Sequence, residues 1–475
     1  MLFPTFEFAG FFLLVFIGFW YVFRRARDRK LFLIAASYFF YSLWDWRFSF
    51  LLLASTAANY GFAFLIGRSR EHLRRKLFLV LAVAANLLFL GFFKYWNFFA
   101  QSATGVFGAL DLSWSLPVLA VVMPVGISFY TFKALSYVFD VYLCKIAPAS
   151  DPLDVVLYVS FFPQIASGPI VHAADFLPGV GGAVAAGIEP GSKPIAFDRA
   201  TLLILSGLFK KLVFANFLST LFVDPVLSDP LSHGTLENLI GALGYSVVMY
   251  ADFSGYSEMA IGVALLLGFE TPANFNRPYV SFSVTEFWKR WHITFSSWLR
   301  EYLYFAMGGS RFGKARTVVA LFFTMALGGL WHGAALTFLV WGVMQGAALA
   351  LERGFEYGTK RSPVPWKAVL QVLATFTFTA LSWIVFRAPS LSAAGEWFRG
   401  LLNVSVPPDK MSPLVAVLLV LGLAMQAVPT RARKTGFRWY IALPLPVKAV
   451  AVAAALLALG LVSMSGVAPF IYFQF

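Results

Sequence analysis

Cysteine is nearly absent from this chain of 475 residues: Cys144 stands alone, so no intrachain disulfide can form. Charge is scarce as well. Asp, Glu, Lys and Arg make up 13% of the residues, against about 25% in a typical soluble domain. Acidic residues are the scarcer sign, 23 against 37 basic ones, for a net charge of +14. There is no Walker loop, no dinucleotide fingerprint, no Cys/His zinc spacing and no HExxH string. Chemistry built on those motifs has no foothold, and neither a metal site nor a bound cofactor is expected. The basic excess does not point to nucleic acid. It sits in short segments between apolar runs, where the positive-inside rule puts it. Histidine is rare too, with five in the chain.

Apolar residues take the vacated places: 59% are hydrophobic and 18% aromatic. A membrane helix needs about 20 mostly apolar residues. Runs of that kind lie near 8–23, 31–44, 48–66, 77–99, 117–139, 201–222, 238–268, 318–350, 367–386, 412–428 and 445–469. They predict an all-α polytopic membrane protein with about eleven spans, read as a single domain over 1–475. The first run is followed at once by Arg24, Arg25, Arg27, Arg29 and Lys30, which marks a retained span, not a cleaved leader. The run 153–170 is interrupted by Pro163 and Gly168-Pro169 and reads as re-entrant. Residues 179–200, rich in Gly, Ala and Pro, read as a loop. Basic clusters at 24–30, 68–76 and 431–438 face the cytoplasm under the charge rule, which puts both chain ends on the outer side.

Two histidines stand out. Segment 286–304 reads EFWKRWHITFSSWLREYLY, with Phe287, Trp288, Trp291, Phe295, Trp298 and Tyr302 at helical spacing. That pattern predicts an amphipathic helix at the lipid–water boundary. His292 falls among its ring-bearing positions, which favours a buried role over an anchor's solvated edge. The run 318–350 is too long for one straight span, and Gly328-Gly329 and Gly333 interrupt it. It is expected to enter the membrane and return, with His332 at the break. A titratable group there is costly and so suspect as functional, and imidazole is the side chain best suited to take and return a proton near neutral pH. A kinked helix with a hydrogen-bonded core histidine is the plainer alternative.

Asp252 and Glu258 lie in the apolar run 238–268. A membrane-embedded carboxylate pairs with a cation or orients a histidine. For Asp252 a structural ion pair is favoured over direct catalysis. Tyr472, in the ending Phe470-Ile471-Tyr472-Phe473-Gln474-Phe475, carries a phenol that an adjacent base can turn into an acyl acceptor. By composition alone the reading as an aromatic-belt residue is the favoured one.

At this point several strings resemble one family, the membrane-bound O-acyltransferases (MBOAT). They are Met123-Pro124-Val125-Gly126-Ile127-Ser128-Phe129-Tyr130, Phe161-Phe162-Pro163-Gln164, Ser167-Gly168-Pro169-Ile170, Asp252-Phe253-Ser254-Gly255-Tyr256-Ser257, Asn274-Phe275-Asn276-Arg277-Pro278-Tyr279, Glu286-Phe287-Trp288-Lys289-Arg290-Trp291-His292, Trp331-His332-Gly333 and Trp383-Ile384-Val385-Phe386-Arg387. Each is weak alone; their joint order is specific. The likeness is to the bacterial branch that includes the alginate O-acetyltransferase membrane subunit and the membrane protein of teichoic-acid D-alanylation.

The resemblance implies a ring of tilted helices, with re-entrant and interfacial pieces, around a thinned central chamber. It implies His332 as the essential catalytic histidine and His292 as a second one lining the chamber. Trp331, Trp288, Asp252 and Asn274 then become substrate-binding candidates, and Lys289 and Arg290 candidates for steering the phosphates of an acyl donor. The donor is expected to be acetyl-CoA, or an acyl carrier protein thioester, arriving from the cytoplasm. The 470–475 ending matches an F-x-Y-x-x-F motif found on a small partner of the D-alanylation pathway. That match favours Tyr472 as a transient acyl carrier.

The resulting expectation is an O-acyltransferase of the bacterial inner membrane that moves an acyl group, acetyl most of all, outward for O-acetylation of an exported or cell-envelope polysaccharide. An extracytoplasmic partner of the SGNH/esterase-like class would complete the transfer. Transfer to a lipid or protein hydroxyl, or D-alanyl transfer, is the alternative within the class. A secondary transporter or flippase is the alternative outside it, disfavoured because no paired repeat of broken helices is found.

Overall fold

The computed structural model describes residues 2–165, 168–185, 196–355, 361–408 and 411–463. Among these the chain is helical, with no strand. Six helices are long and apolar enough to cross a bilayer, or seven if a bent pair counts as one span. The expected eleven runs therefore do not all become such spans. The first is a shorter apolar helix, Phe6–Val22. The second belongs to a helix that starts at Ala26 and carries Arg27, Asp28, Arg29 and Lys30. The run 117–139 is helical only from Ile127. Pro117 and Pro124 disfavour helix in the residues before them, and Gly126, at φ 70°, sets the turn that starts the helix.

The chain folds into two compact units. Unit one comprises Gly10–Ile195 with Ala264–Thr271. Besides the helix Trp96–Ala109, it holds α1 (Ala26–Ser42), α2 (Trp46–Arg68), α3 (His72–Leu90), α4 (Ile127–Tyr142), α5 (Pro152–Ser160) and α6 (Ala173–Ala185). Asp151 caps α5 by accepting from the Leu153 N–H, and its carboxylate is held below its ordinary range mainly by Lys30, 2.7 Å away. The chain after α5 turns at Pro163, where the Phe162 N–H donates to Ser37 Oγ at 3.1 Å. Helix α6 runs through Gly179, Gly181 and Gly182 to Ala185, and the next helix starts at Phe197, so the loop expected over 179–200 is helical at both ends, with residues 186–195 outside the described residues. Burial of Val180, Ala183 and Val184 outweighs the weak helix propensity of glycine.

Unit two comprises Leu2–Ala9, Ala196–Val263 and Pro272–Phe475. It holds α7 (Phe197–Phe209), α8 (Thr235–Leu266), α9 (Val284–Trp288), α10 (Ile293–Trp298), α11 (Lys314–His332), α12 (Leu336–Phe355), α13 (Pro365–Arg387), α14 (Pro413–Ala427), α15 (Thr430–Ala442) and α16 (Leu445–Ser463). The helix α8 buries Glu237, Asn238, Ser246, Asp252, Ser254 and Ser257 in protein. It is thus a core helix that lipid alone could not accommodate.

The run 318–350 breaks as expected. Helices α11 and α12 form a hairpin closed by glycine. A Cβ on Gly342 would lie 2.5 Å from the Met325 carbonyl oxygen, and one on Gly329 2.3 Å from that of Phe338. Small residues let two membrane helices approach this closely. Gly342→Val is therefore expected to cost about 2 kcal/mol or more by overpacking, read as a lowered unfolding midpoint in detergent. Gly61→Ala, where a Cβ meets nothing within 4 Å, should leave the midpoint nearly unchanged. Equal midpoints for the two variants would show that the hairpin can part without loss.

Candidate active site

The 286–304 segment is not one interfacial helix. It is α9, a break, α10 and a π-helical stretch Leu299–Tyr304. Its aromatic face meets protein, not lipid: Phe287 and Trp291 are each 1% exposed. Rings packed on rings and rings packed on lipid share one periodicity, so the sequence pattern served both readings. The break falls at His292, whose backbone is left-handed with φ 42°. That conformation costs a non-glycine residue about 1–2 kcal/mol. It is held by two splices to the preceding loop. The Asn276 N–H donates to the Arg290 carbonyl and the Ile293 N–H to the Asn274 carbonyl, both at 2.9 Å.

The side chain of Asn274 fixes the imidazole. Its Oδ1 accepts from the Thr294 N–H at 3.2 Å and from Thr294 Oγ1 at 3.0 Å, while its Nδ2 donates to Ser257 Oγ at 3.2 Å. That network settles which end of the amide is oxygen. His292 Nδ1 lies 3.2 Å from the same Oδ1 and, facing an acceptor, must carry the proton. In the neutral ring Nε2 then bears the lone pair. Nε2 is buried with no hydrogen-bond partner among the described residues.

His332 is the last residue of α11. The helix stops there because Gly333 turns extended, and the Phe338 ring fills the place of a Gly333 side chain, 2.0 Å from an ideal Cβ. His332 is 4% exposed, inside a cage of aromatic rings. Ring centroids of Trp331, Phe295, Trp341 and Phe386 lie 5.0, 5.2, 5.3 and 5.4 Å from its own. The two histidines share walls. Phe295 stacks on His292 at 4.9 Å, and Trp331 lies 6.4 Å from His292. Four of the expected site residues, His292, His332, Trp331 and Asn274, thus come together.

Asp252 takes a different face. It pairs with Lys211 at 2.7 Å, both side chains buried. Along α8, Gly255 abuts the Gly207 carbonyl and Gly262 that of Ala200, so positions 252, 255 and 262 face α7 and the π-helical Lys210–Ala215. Phe253 and Ser257, one residue on from 252 and 256, face His292 and Asn274. The favoured ion-pair reading of Asp252 matches this geometry.

Lys289 and Trp288 line a cleft of about 510 Å³ together with Arg300, Arg353 and Glu352, over an apolar floor that includes Ile293, Leu299 and Met325. Arg290 is not on that wall; it pairs with Glu286. Arg300 and Arg353 were not singled out in the sequence, where each reads as a solvated helix charge. The Trp288 indole N–H donates to Gln345 Oε1 at 3.2 Å. Its ring lies 5.8 Å from Trp341, which in turn touches His332. Tyr472, with the whole 470–475 motif, lies outside the described residues. Among the described residues no His/Cys/Asp/Glu group could hold a metal ion.

The profile of the MBOAT, membrane-bound O-acyltransferase family, matches residues 146–386. The chain is 36% identical over 405 residues to the "Probable alginate O-acetylase AlgI" of Pseudomonas aeruginosa, covering 85% of this chain and 75% of that protein. It is 33% identical over 405 residues to the "Peptidoglycan O-acetyltransferase" of Helicobacter pylori, covering 79% and 74%. To the "Teichoic acid D-alanyltransferase" of Bacillus subtilis it is 28% identical over 281 residues, covering 55% and 68%. With this match over the segment that carries both caged histidines, the chain belongs to the membrane-bound O-acyltransferase family and is a multi-pass membrane O-acyltransferase.

Proposed function

We propose that this enzyme takes an acetyl group from a thioester on the cytoplasmic side of the bacterial inner membrane and delivers it outward for O-acetylation of an exported or cell-envelope polysaccharide. The observation that carries the reading is the pair of buried imidazoles sharing the Phe295 and Trp331 walls. A base in that position suits ester chemistry. His332 takes the proton from an acceptor hydroxyl as its oxygen bonds to the thioester carbonyl carbon. The carbon–sulfur bond then breaks, and the proton passes to the departing sulfur. An ester and a thiol result, with no outside oxidant or nucleotide needed. His292 Nε2, held by the Asn274 clamp, supplies a second oriented lone pair beside the reacting groups.

The cleft suits the donor. Lys289, Arg300 and Arg353 ring an apolar floor, which fits the phosphates and the chain of acetyl-CoA, or the arm of an acyl carrier protein. The Trp288–Gln345 bond latches the wall between that cleft and the ring chain ending at His332, so rotation of Trp288 is the step that opens the way. Tyr472 is the proposed first acceptor, which requires the C-terminus on the outer face. A separate SGNH/esterase-like protein would carry the acyl group on to the polymer. The relatives named for alginate and peptidoglycan acetylation support a glycan acceptor.

His332→Ala should insert normally yet lower acyl transfer by about 10²–10⁴-fold, the worth of a positioned general base. Polymer acetylation measured in membranes at the wild-type rate would remove His332 from the chemistry. His292→Asn keeps a residue that tolerates the left-handed backbone, so it should fold and still lose most transfer; full activity would reduce His292 to a structural turn. Labelled acetyl-CoA given to purified protein should leave ester-linked label, absent in Tyr472→Phe. Label of equal yield in that variant would reject the tyrosine, and uptake into vesicles without bond cleavage would favour a transporter.

Asp252→Asn separates support from chemistry. It strands the Lys211 charge in the core, with an expected loss of about 3–5 kcal/mol seen as a lower unfolding midpoint. A variant of unchanged midpoint but no transfer would move Asp252 into the reaction.

A further inference from the structure

Helix α15 departs from every other helix of unit two in one respect: none of its residues is buried. It follows the apolar α14 at a bend of 95°, so with α14 crossing the bilayer α15 runs along its plane. Its sequence, TRARKTGFRWYIA, is basic and aromatic. At 100° per residue, Arg431, Lys434 and Arg438 share one stripe, and Arg433 projects from another face. Trp439, 73% exposed, is the kind of side chain that settles at headgroup level.

Arg433 is not alone on its face. Arg277 follows the splice between Asn276 and Arg290, which places those two arginines on adjoining strands of chain. Its Nη1 donates at 3.2 Å to the carbonyl of Val428, just before α15. The Arg277 backbone is left-handed, φ 50°, an outlay in strain of about 1–2 kcal/mol. Arg277 Nε is shielded from solvent and has no hydrogen-bond partner among the described residues. Burial lowers the Arg277 guanidinium from its ordinary value, and the neighbouring charges of Arg433 and Arg290 push in the same direction. Arg290 has Glu286 as counter-charge; Arg277 and Arg433 form no ion pair among the described residues. Converging like charges with a shielded, unsatisfied donor call for an anion of fixed geometry. Guanidinium groups bind phosphate in a two-pronged manner.

We infer that Arg277, Arg433 and Arg290 form a seat for the phosphate of an anionic phospholipid of the inner leaflet, with α15 lying on the membrane surface beside it. The lipid is chosen over a soluble phosphate because the seat lies at the foot of a bent span, next to an exposed tryptophan and a stripe of basic residues. This site is separate from the cleft that holds Lys289, Arg300 and Arg353.

The test compares purified protein in nanodiscs of phosphatidylcholine alone and with phosphatidylglycerol added. Phosphatidylglycerol should raise the unfolding midpoint, and Arg277→Gln with Arg433→Gln should cut that rise to less than half. In the wild type, phosphatidylglycerol should also lower phenylglyoxal labelling of Arg277 and Arg433 several-fold, a readout that needs no variant. Equal midpoints and equal labelling in the two lipids would overturn the seat. Protection by millimolar inorganic phosphate in phosphatidylcholine, matching that of phosphatidylglycerol, would overturn the lipid in favour of a soluble ligand.

Discussion

The amide of Asn274 is the point on which the two-histidine arrangement depends. It receives both polar groups of Thr294 and the imidazole of His292, and it donates to Ser257 of α8. Those contacts join a loop, a break and a long core helix through one planar group. Because the oxygen and nitrogen are told apart by their partners, the tautomer of His292 is set without any charge nearby. An aspartate at 274 would lose the donor to Ser257 and place a charge in an aromatic core. An alanine would leave the left-handed turn at His292 without its side-chain restraint.

Around this clamp, α8 separates two kinds of polar chemistry. One face carries Asp252 against Lys211, a pair buried on both sides, and Glu258 against Lys210, where the carboxylate is a quarter exposed. The other face offers Phe253 and Ser257 to the neutral histidine network. Keeping the ions on the far side matters. A carboxylate directly beside His292 would favour the imidazolium form and take away the lone pair that ester chemistry uses. The buried Asp252–Lys211 pair adds little net stability, since desolvation offsets most of its attraction. The effect of both pairs is to fix how α8 is rotated, and so which residues reach the histidines.

Much of this was legible in the sequence where polar residues interrupt apolar runs. Gly328-Gly329 and Gly333 announced the break that ends α11 at His332, and Asp252 in an apolar run announced a buried cation. The cation itself was hidden, because Lys210-Lys211 sit inside the apolar run 201–222 and a lysine pair there resembles a span's boundary. The 286–304 segment was misread for a physical reason. A stripe of tryptophans records that a face is apolar and says nothing of whether lipid or protein covers it. The same ambiguity bears on the count of spans: six or seven helices among the described residues are long and apolar enough to cross a bilayer, and α8, as long as a membrane helix, buries its polar residues in protein. The cleft was legible only in part: Lys289 stood out, whereas Arg300 and Arg353 join it through tertiary packing. The second loop arginine, Arg277, appeared in a family string without a stated role.

The burial of both imidazoles, His292 fully and His332 nearly so, fits the chemistry better than an open site would. A thioester and an activated hydroxyl in contact with water are lost to hydrolysis, and excluding water is one of the things an acyl-transfer site must do. Aromatic walls do this without offering competing nucleophiles. The cost is access to the two imidazoles. From the cleft wall, Trp288 meets Trp341, and Trp341 meets His332. Of these two rings, Trp341 is packed face to face on Trp383 at 5.4 Å, so it is the fixed member. Trp288 lines the cleft and is restrained on its polar side by one hydrogen bond to Gln345, which is itself tied to Ser382 at 2.9 Å. The proposed rotation of Trp288 would therefore have to break that one hydrogen bond and leave its contacts with Phe287 and Trp341.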